Sequence, residues 1–273
     1  MSDRIDIIRD GGVADVRLNR PEKMNALDPD MFEALNTAAE ELAADPGLRC
    51  VVLSGEGRAF CAGLDFSSFQ SMGSGERRPS SGDEPAPGLM NTEGRITHRG
   101  QQAVYGWTEL PVPVIAAVHG HALGGGIQLA LGADIRFVHP DAKLSVLEIR
   151  WGLIPDMTGT QALVNLVGLD VAKELTFTGR MVSGTEAVEL GLCTHLSDDP
   201  RADALAMAGE IAAKSPHAVR AAKRLFNAAP KVSLAEGFEA ERREIASLIG
   251  SPNQVEQVTA FFEKREPSFV DPA

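Results

Sequence analysis

The stretch His121–Asp134, HALGGGIQLALGAD, runs three consecutive glycines into an apolar segment of helical character. Glycine is among the poorest helix formers, so the run needs a reason. The first amides of a helix have no intrahelical acceptor, and the helix dipole places partial positive charge there. With no Cβ in the way, a ligand atom can reach those donors. Two chemistries use this arrangement: phosphate binding and oxyanion stabilisation. No Gly-Lys-Ser/Thr follows, and Gly120, Gly124, Gly125 and Gly126 miss the spacing of a dinucleotide fingerprint. Tight packing of a helix on a strand would explain the same run. A second stretch, Ala59–Asp65 (AFCAGLD), also carries a glycine between an apolar strand and a helix. One amide from each turn makes the convergent pair of donors that an enolate or tetrahedral oxyanion needs.

Other reactive side chains carry less. His119 and His121 form an HxH pair, but no third ligand stands nearby, so structural roles and no metal are expected. Cys61 lacks an adjacent base and reads as a small buried filler. Cys50, Cys61 and Cys193 show no CxxC spacing, which fits a reducing compartment without disulfides. The 273-residue chain has a formal net charge of −12. That disfavours nucleic acid and anionic membranes as bulk partners, and it obliges any anionic ligand to find a local basic patch. Apolar runs are too short for a membrane span, and the N-terminus lacks the apolar core of a secretory signal, so a cytoplasmic location is expected.

The elements that must position these residues follow from periodicity. RIDIIRD and VADVRLNR alternate around Gly11–Gly12 and predict a β-hairpin. Asp28 as N-cap with Pro29 at the first helical position starts a helix that faces inward through Phe32, Leu35, Ala39 and Leu42. RCVVLSG, PVPVIAAVHG and DIRFVHP read as strands, AKLSVLEI as a strand-like segment, and ITHRGQQAVYGWTEL and GGGIQLALGA as helices. From Thr158 onward the pattern is mostly helical. Strand–helix alternation followed by helices predicts an α/β core with a helical appendage. Residues 73–88 are rich in Gly, Ser, Pro and charge; they read as a surface loop or as a lid over a pocket.

With these motifs in order, NRPEKMNAL (19–27), GRAFCAGLD (57–65), PVIAAVHGHALGGG (113–126) and GLIPDMTGTQALVNLVG (152–168), the chain resembles the crotonase superfamily, the enoyl-CoA hydratase/isomerase family. TGRMVSGTEAVELGLCTHL (178–196) and AFFEKREPSF (260–269) fit it as well, so the similarity spans nearly the whole chain. The resemblance implies an α/β crotonase-like spiral of β-β-α repeats over residues 1–197, carrying the acyl-CoA site. It implies a C-terminal helical oligomerisation region over 198–273, and a homotrimer or a dimer of trimers. The substrate would be a coenzyme A thioester, with no other cofactor.

Carried over position by position, the resemblance puts the oxyanion hole at the amides of Leu64 and Gly125. Two such donors stabilise the enolate oxygen by roughly 3–4 kcal/mol each in comparable enzymes. Coenzyme A contacts fall near Lys23 and Ala62, with Phe261 and Lys264 contributed late in the chain, in some relatives to a neighbouring subunit. Gly63 and Asp65 would shape the turn and cap the next helix, while residues 66–100 would shape the acyl pocket. Trp151 and Tyr105 would line the acyl tunnel or fill core.

Family hydratases hold a water between two glutamates. Here the first position is Gln128, and the second is Glu148. Glutamine can orient a water but takes no proton in the relevant range, and general-base catalysis contributes typically 10²–10⁴-fold. Asp156, eight positions after Glu148, matches the aspartate of dienoyl-CoA isomerases, although those enzymes also carry an aspartate at the position of Gln128. A turn or N-cap role would account for Asp156 equally well. The expectation leans to a double-bond shift, with Glu148 as principal acid/base, Asp156 as the second and Gln128 as a water or substrate positioner. Hydration of a 2-enoyl-CoA is the alternative, and a non-catalytic acyl-CoA binder is a further one.

Overall fold

The computed structural model describes residues 3–66, 92 and 94–272. The N-terminal alternation forms the expected hairpin, with β1 (Ile5–Asp10) antiparallel to β2 (Val13–Leu18). Asp28 caps α1 (Pro29–Ala43) by accepting a hydrogen bond from the Met31 amide, and α1 buries Met31, Leu35, Ala39 and Leu42. There follow β3 (Cys50–Gly55), α2 (Arg99–Glu109), β4 (Val114–Val118), β5 (His121–Leu123), α3 (Gly125–Leu131) and β6 (Ile135–Val138). The expected strand at 142–149 is shorter. Only β7 (Lys143–Ser145) is extended, and the chain then enters a 3-10 turn at Glu148–Trp151, ended by Gly152 in the left-handed region.

Six strands form one sheet in the order β1-β2-β3-β4-β6-β9, where β9 is His195–Leu196. All of its pairings except β1–β2 are parallel. A smaller sheet joins β5, β7 and β8 (Val182–Ser183). β3 and β4 are covered on both faces, which is why they read as unbroken apolar runs and not as alternations. One face packs against α1 and α2 around Leu35, Leu53 and the fully buried Trp107. The other packs Val52, Ile115 and Phe137 against Ala204 and Ala208. Those alanines lie on α4 (Pro200–Ala212), so the first helix beyond residue 197 belongs to the sheet's own core. The later helices α5 (Pro216–Ala228), α6 (Leu234–Leu248) and α7 (Pro252–Glu263) lie outside that core, and α6 buries none of its residues. Residues 67–91 and 93, which include the loop at 73–88, lie outside the described residues.

Candidate active site

Because β3 and β4 are adjacent and parallel, the loops leaving their C-terminal ends emerge side by side, the usual position for a site in an open parallel sheet. Main-chain hydrogen bonds lock the two loops together: Phe60 N donates to His119 O, Cys61 N to His121 O (both 2.9 Å), and Leu123 N to Cys61 O (3.1 Å). The approach tolerates no side chain at two glycines. A Cβ on Gly126 would lie 2.1 Å from Cys61 O, and one on Gly63, at φ +86°, would lie 2.4 Å from Leu123 O. The glycine run therefore serves close packing and donor exposure together. The Gly63 Cβ position is also 3.5 Å from the Gly125 nitrogen, so the two turns meet.

The neighbours of the two expected donors are occupied. Gly63 O accepts from Leu27 N, Asp65 N donates to Leu27 O, and Gly124 N donates to Ser145 O. Among the described residues, the amides of Leu64 and Gly125 themselves have no acceptor. Gly125 opens α3, so its amide also lies at the positive end of that helix.

The segments bearing Lys23 and Ala62 are joined by a hydrogen bond from Ala62 N to Met24 O at 2.9 Å. Lys23 is exposed at the end of a 3-10 turn (Pro21–Lys23). Asn25 holds this corner, and sequence reasoning missed it. Fully buried, it accepts from Arg20 N and donates to the carbonyls of Glu56, Ala59 and Phe60. Its only local signal is a residue type tolerant of the left-handed backbone it adopts at φ 56°. Asp65 is buried and ion-paired to Arg20 at 2.5 Å, so it ties the two segments together; the helix it was expected to cap lies almost entirely outside the described residues.

Glu148 enters from the 3-10 turn after β7 and is buried. Its Oε1 accepts from Gln128 Nε2 at 2.6 Å, while Oε2 is buried without a partner among the described residues. Burial pushes the carboxyl above the ordinary glutamate range; the charge of Asp156 pushes it up further, and the Gln128 hydrogen bond opposes both. Asp156 itself is exposed. Gln128, 1% exposed, accepts from the amides of Met157 (2.8 Å) and Gly159 (3.0 Å) through its carbonyl. Both ends of its amide thus meet protein groups, with one of the two Nε2 hydrogens given to Glu148. The N-cap of the helix at Gly159–Val167 is Thr158, without a side-chain bond, so Asp156 does not cap it.

Trp151 is half exposed and meets Phe66 edge-on at 6.3 Å, next to the Glu148 turn, and so does not fill core. Tyr105 lies instead in a separate 680 Å³ groove between α2 and α5, beneath Lys231. Phe261 and Lys264 are exposed on and after α7. No hydrogen bond, ion pair or ring contact among the described residues joins them to Lys23 or Ala62; that part of the chain is anchored by Asn253 to His217 and by Asp271 to Arg49, at the start of β3. Burial raises the Cys61 thiol to about 12, so it is inert filler, as expected. His119 bonds Gly57 O, and no group of three metal-ligating side chains occurs among the described residues.

Parallel strands whose adjacent loops hold, among the described residues, two amides without an acceptor near a buried carboxyl are the arrangement of the crotonase class of α/β folds. The enoyl-CoA hydratase/isomerase family profile matches residues 9–272, and the chain belongs to that family. A Thermus thermophilus protein, provisionally named an enoyl-CoA hydratase, is 37% identical over 264 residues, 96% of this chain and 99% of its own. The mitochondrial methylglutaconyl-CoA hydratase of Mus musculus is 32% identical over 265 residues, 94% of this chain and 79% of its own. A crystal structure of enoyl-CoA hydratase from Bacillus anthracis superposes with a TM-score of 0.84 at 32% identity, covering 97% of this chain and 98% of that one. No described helix is long and apolar enough to cross a membrane.

Proposed function

We propose that the chain moves a double bond in an enoyl-CoA or dienoyl-CoA thioester. The thioester oxygen is held by the amides of Leu64 and Gly125. Glu148 removes a proton to form the enolate, the exposed Asp156 passes a proton taken from solvent to the far end of the acyl chain's conjugated system, and Glu148 then releases its own proton to solvent. Lys23 and Ala62 contact the coenzyme A, and no other cofactor takes part. The observation that carries this reading is the pairing of Glu148 with an amide in place of a second glutamate. Among the described residues, Gln128 stands against Glu148 Oε1 where a second carboxylate would hold a water, and the carboxylate whose charge raises Glu148 is Asp156. Its exposure suits a group that meets the acyl chain from the open side. Ile149, Trp151, Leu153 and Ile154, all exposed, supply apolar surface along the segment between the two carboxyls.

Hydration of a 2-enoyl-CoA is the second reading, favoured by the names of the relatives. Incubation with crotonyl-CoA and with a 3,5-dienoyl-CoA, followed by absorbance and product analysis, separates the two. Asp156→Asn is expected to cut dienoyl turnover by about 10²-fold while leaving coenzyme A binding intact. Undiminished turnover in that variant removes Asp156 from the mechanism, and binding without any turnover makes the chain an acyl-CoA binder.

The C-terminal helices are read as the assembly region, forming a trimer or a dimer of trimers. α6 leaves Leu234, Phe238 and Ile245 exposed, and α7 does the same with Phe261 and Phe262. In such an assembly Phe261 and Lys264 would reach a neighbour's coenzyme A. Light scattering of the purified chain tests the stoichiometry.

A further inference from the structure

Gln128 bridges two parts of the site that lie far apart in sequence. Its carbonyl meets two main-chain donors, Met157 N and Gly159 N, which can only face an acceptor. That fixes the orientation of the amide, so the nitrogen must be the end that meets Glu148 Oε1 at 2.6 Å. The turn it holds is a strained one. Thr158, β-branched, sits at φ +69°, and Asp156 immediately precedes the turn. We propose that Gln128 is a positioning residue that clamps Glu148 to the turn following Asp156, and that its uncharged amide is what lets Glu148 ionise inside the clamp. This rests on the reading of Glu148 and Asp156 as the two proton carriers.

A glutamate at 128 could still accept both main-chain amides through one oxygen. Its other oxygen would then face Glu148 Oε1 at the present separation of 2.6 Å. Two carboxyls so close cannot both ionise, and they would share one proton. Around Glu148, Asp156 acts on it from just before the 157–159 turn; Arg150 lies exposed in Glu148's own 3-10 turn, the helix Leu169–Thr178 packed against that turn carries Asp170, Lys173 and Glu174 exposed to solvent, and α3 with the preceding Gly124 brings no charge. Exchanging both residues restores a matched pair: a carboxylate at 128 accepting from an amide at 148.

The test is thermal unfolding of the full chain between pH 5 and 7 for wild type, Gln128→Glu, and the exchange Gln128→Glu with Glu148→Gln. In Gln128→Glu the shared proton raises the folded-state pKa above the unfolded value of about 4.3. Stability is therefore retained at the acid end and lost as pH rises. The Tm gap to wild type should widen by roughly 2–3 °C per pH unit. The exchanged pair should fold and show no such widening. A Gln128→Glu curve parallel to wild type, a widening that persists in the exchange, or an exchange that does not fold overturns the clamp. Absence of turnover on every thioester would end the functional reading and leave these unfolding results unaltered.

Discussion

Gly126→Ala is the most direct perturbation of the two-loop arrangement. The added methyl would sit 2.1 Å from Cys61 O, 2.8 Å from its carbonyl carbon and 3.0 Å from its Cβ. Carbon–oxygen contacts begin near 3.3 Å, so the loop and α3 must part by roughly 1 Å. The first obstacle is backbone, which cannot swing aside as a side chain would. Gly125 adjoins the new methyl, and Leu64 follows Cys61 by three residues, so the displacement falls on the gap between the two amide donors. Misplacement by about 1 Å costs on the order of 10²-fold, and complete loss of one donor 10²–10³-fold. We expect kcat to fall by about 10²-fold. Overpacking should also destabilise the fold by about 1–3 kcal/mol.

The assay is steady-state turnover on the preferred thioester, with coenzyme A affinity by calorimetry and Tm by scanning. Gly209→Ala is the control. It is an exposed helical glycine with nothing within 4 Å of the added methyl. It should gain about 0.5–1 kcal/mol of stability and keep full activity. A Gly126→Ala enzyme with kcat within about 3-fold of wild type, a barrier change under 1 kcal/mol, would refute the donor-gap reasoning.

Acting as the base, Glu148 should give kcat/KM an acid limb above the ordinary glutamate range, with rate rising as pH rises; a midpoint at the ordinary value counts against it. By linkage, its contribution to stability is full at low pH and declines as pH climbs from the unfolded to the raised folded pKa. Asp156→Asn removes a charge that raises Glu148, so it should move this limb to lower pH; an unmoved limb would sever the coupling. Asn25→Ala strands one amide and three carbonyls. It should cost about 2–4 kcal/mol of stability and weaken coenzyme A binding, and an unaltered affinity would separate this corner from the binding site.

Much of this protein follows from residues near one another in sequence. Alternation set the hairpin, Asp28 and Pro29 set the start of α1, and the apolar runs set β3 and β4. These are local effects of capping, backbone preference and burial period, and they act within a turn or two. The glycines after β3 and β4 were legible as tight turns for the same reason. What they had to avoid was not legible, because Cys61 O and Leu123 O arrive from the other loop. Gln128 could be read as the absence of a carboxylate, but not as a clamp. Its three partners lie 20, 29 and 31 positions away. Which end of an amide faces a carboxyl depends on which main-chain donors the fold delivers to its other end. Asn25 is the same case, with carbonyls collected from 31 to 35 residues away. The sequence by itself determined which groups could do chemistry and on which elements they sit. The tertiary structure alone decided which of them meet, because those contacts are set by the register of β3, β4 and β7 and not by any local preference.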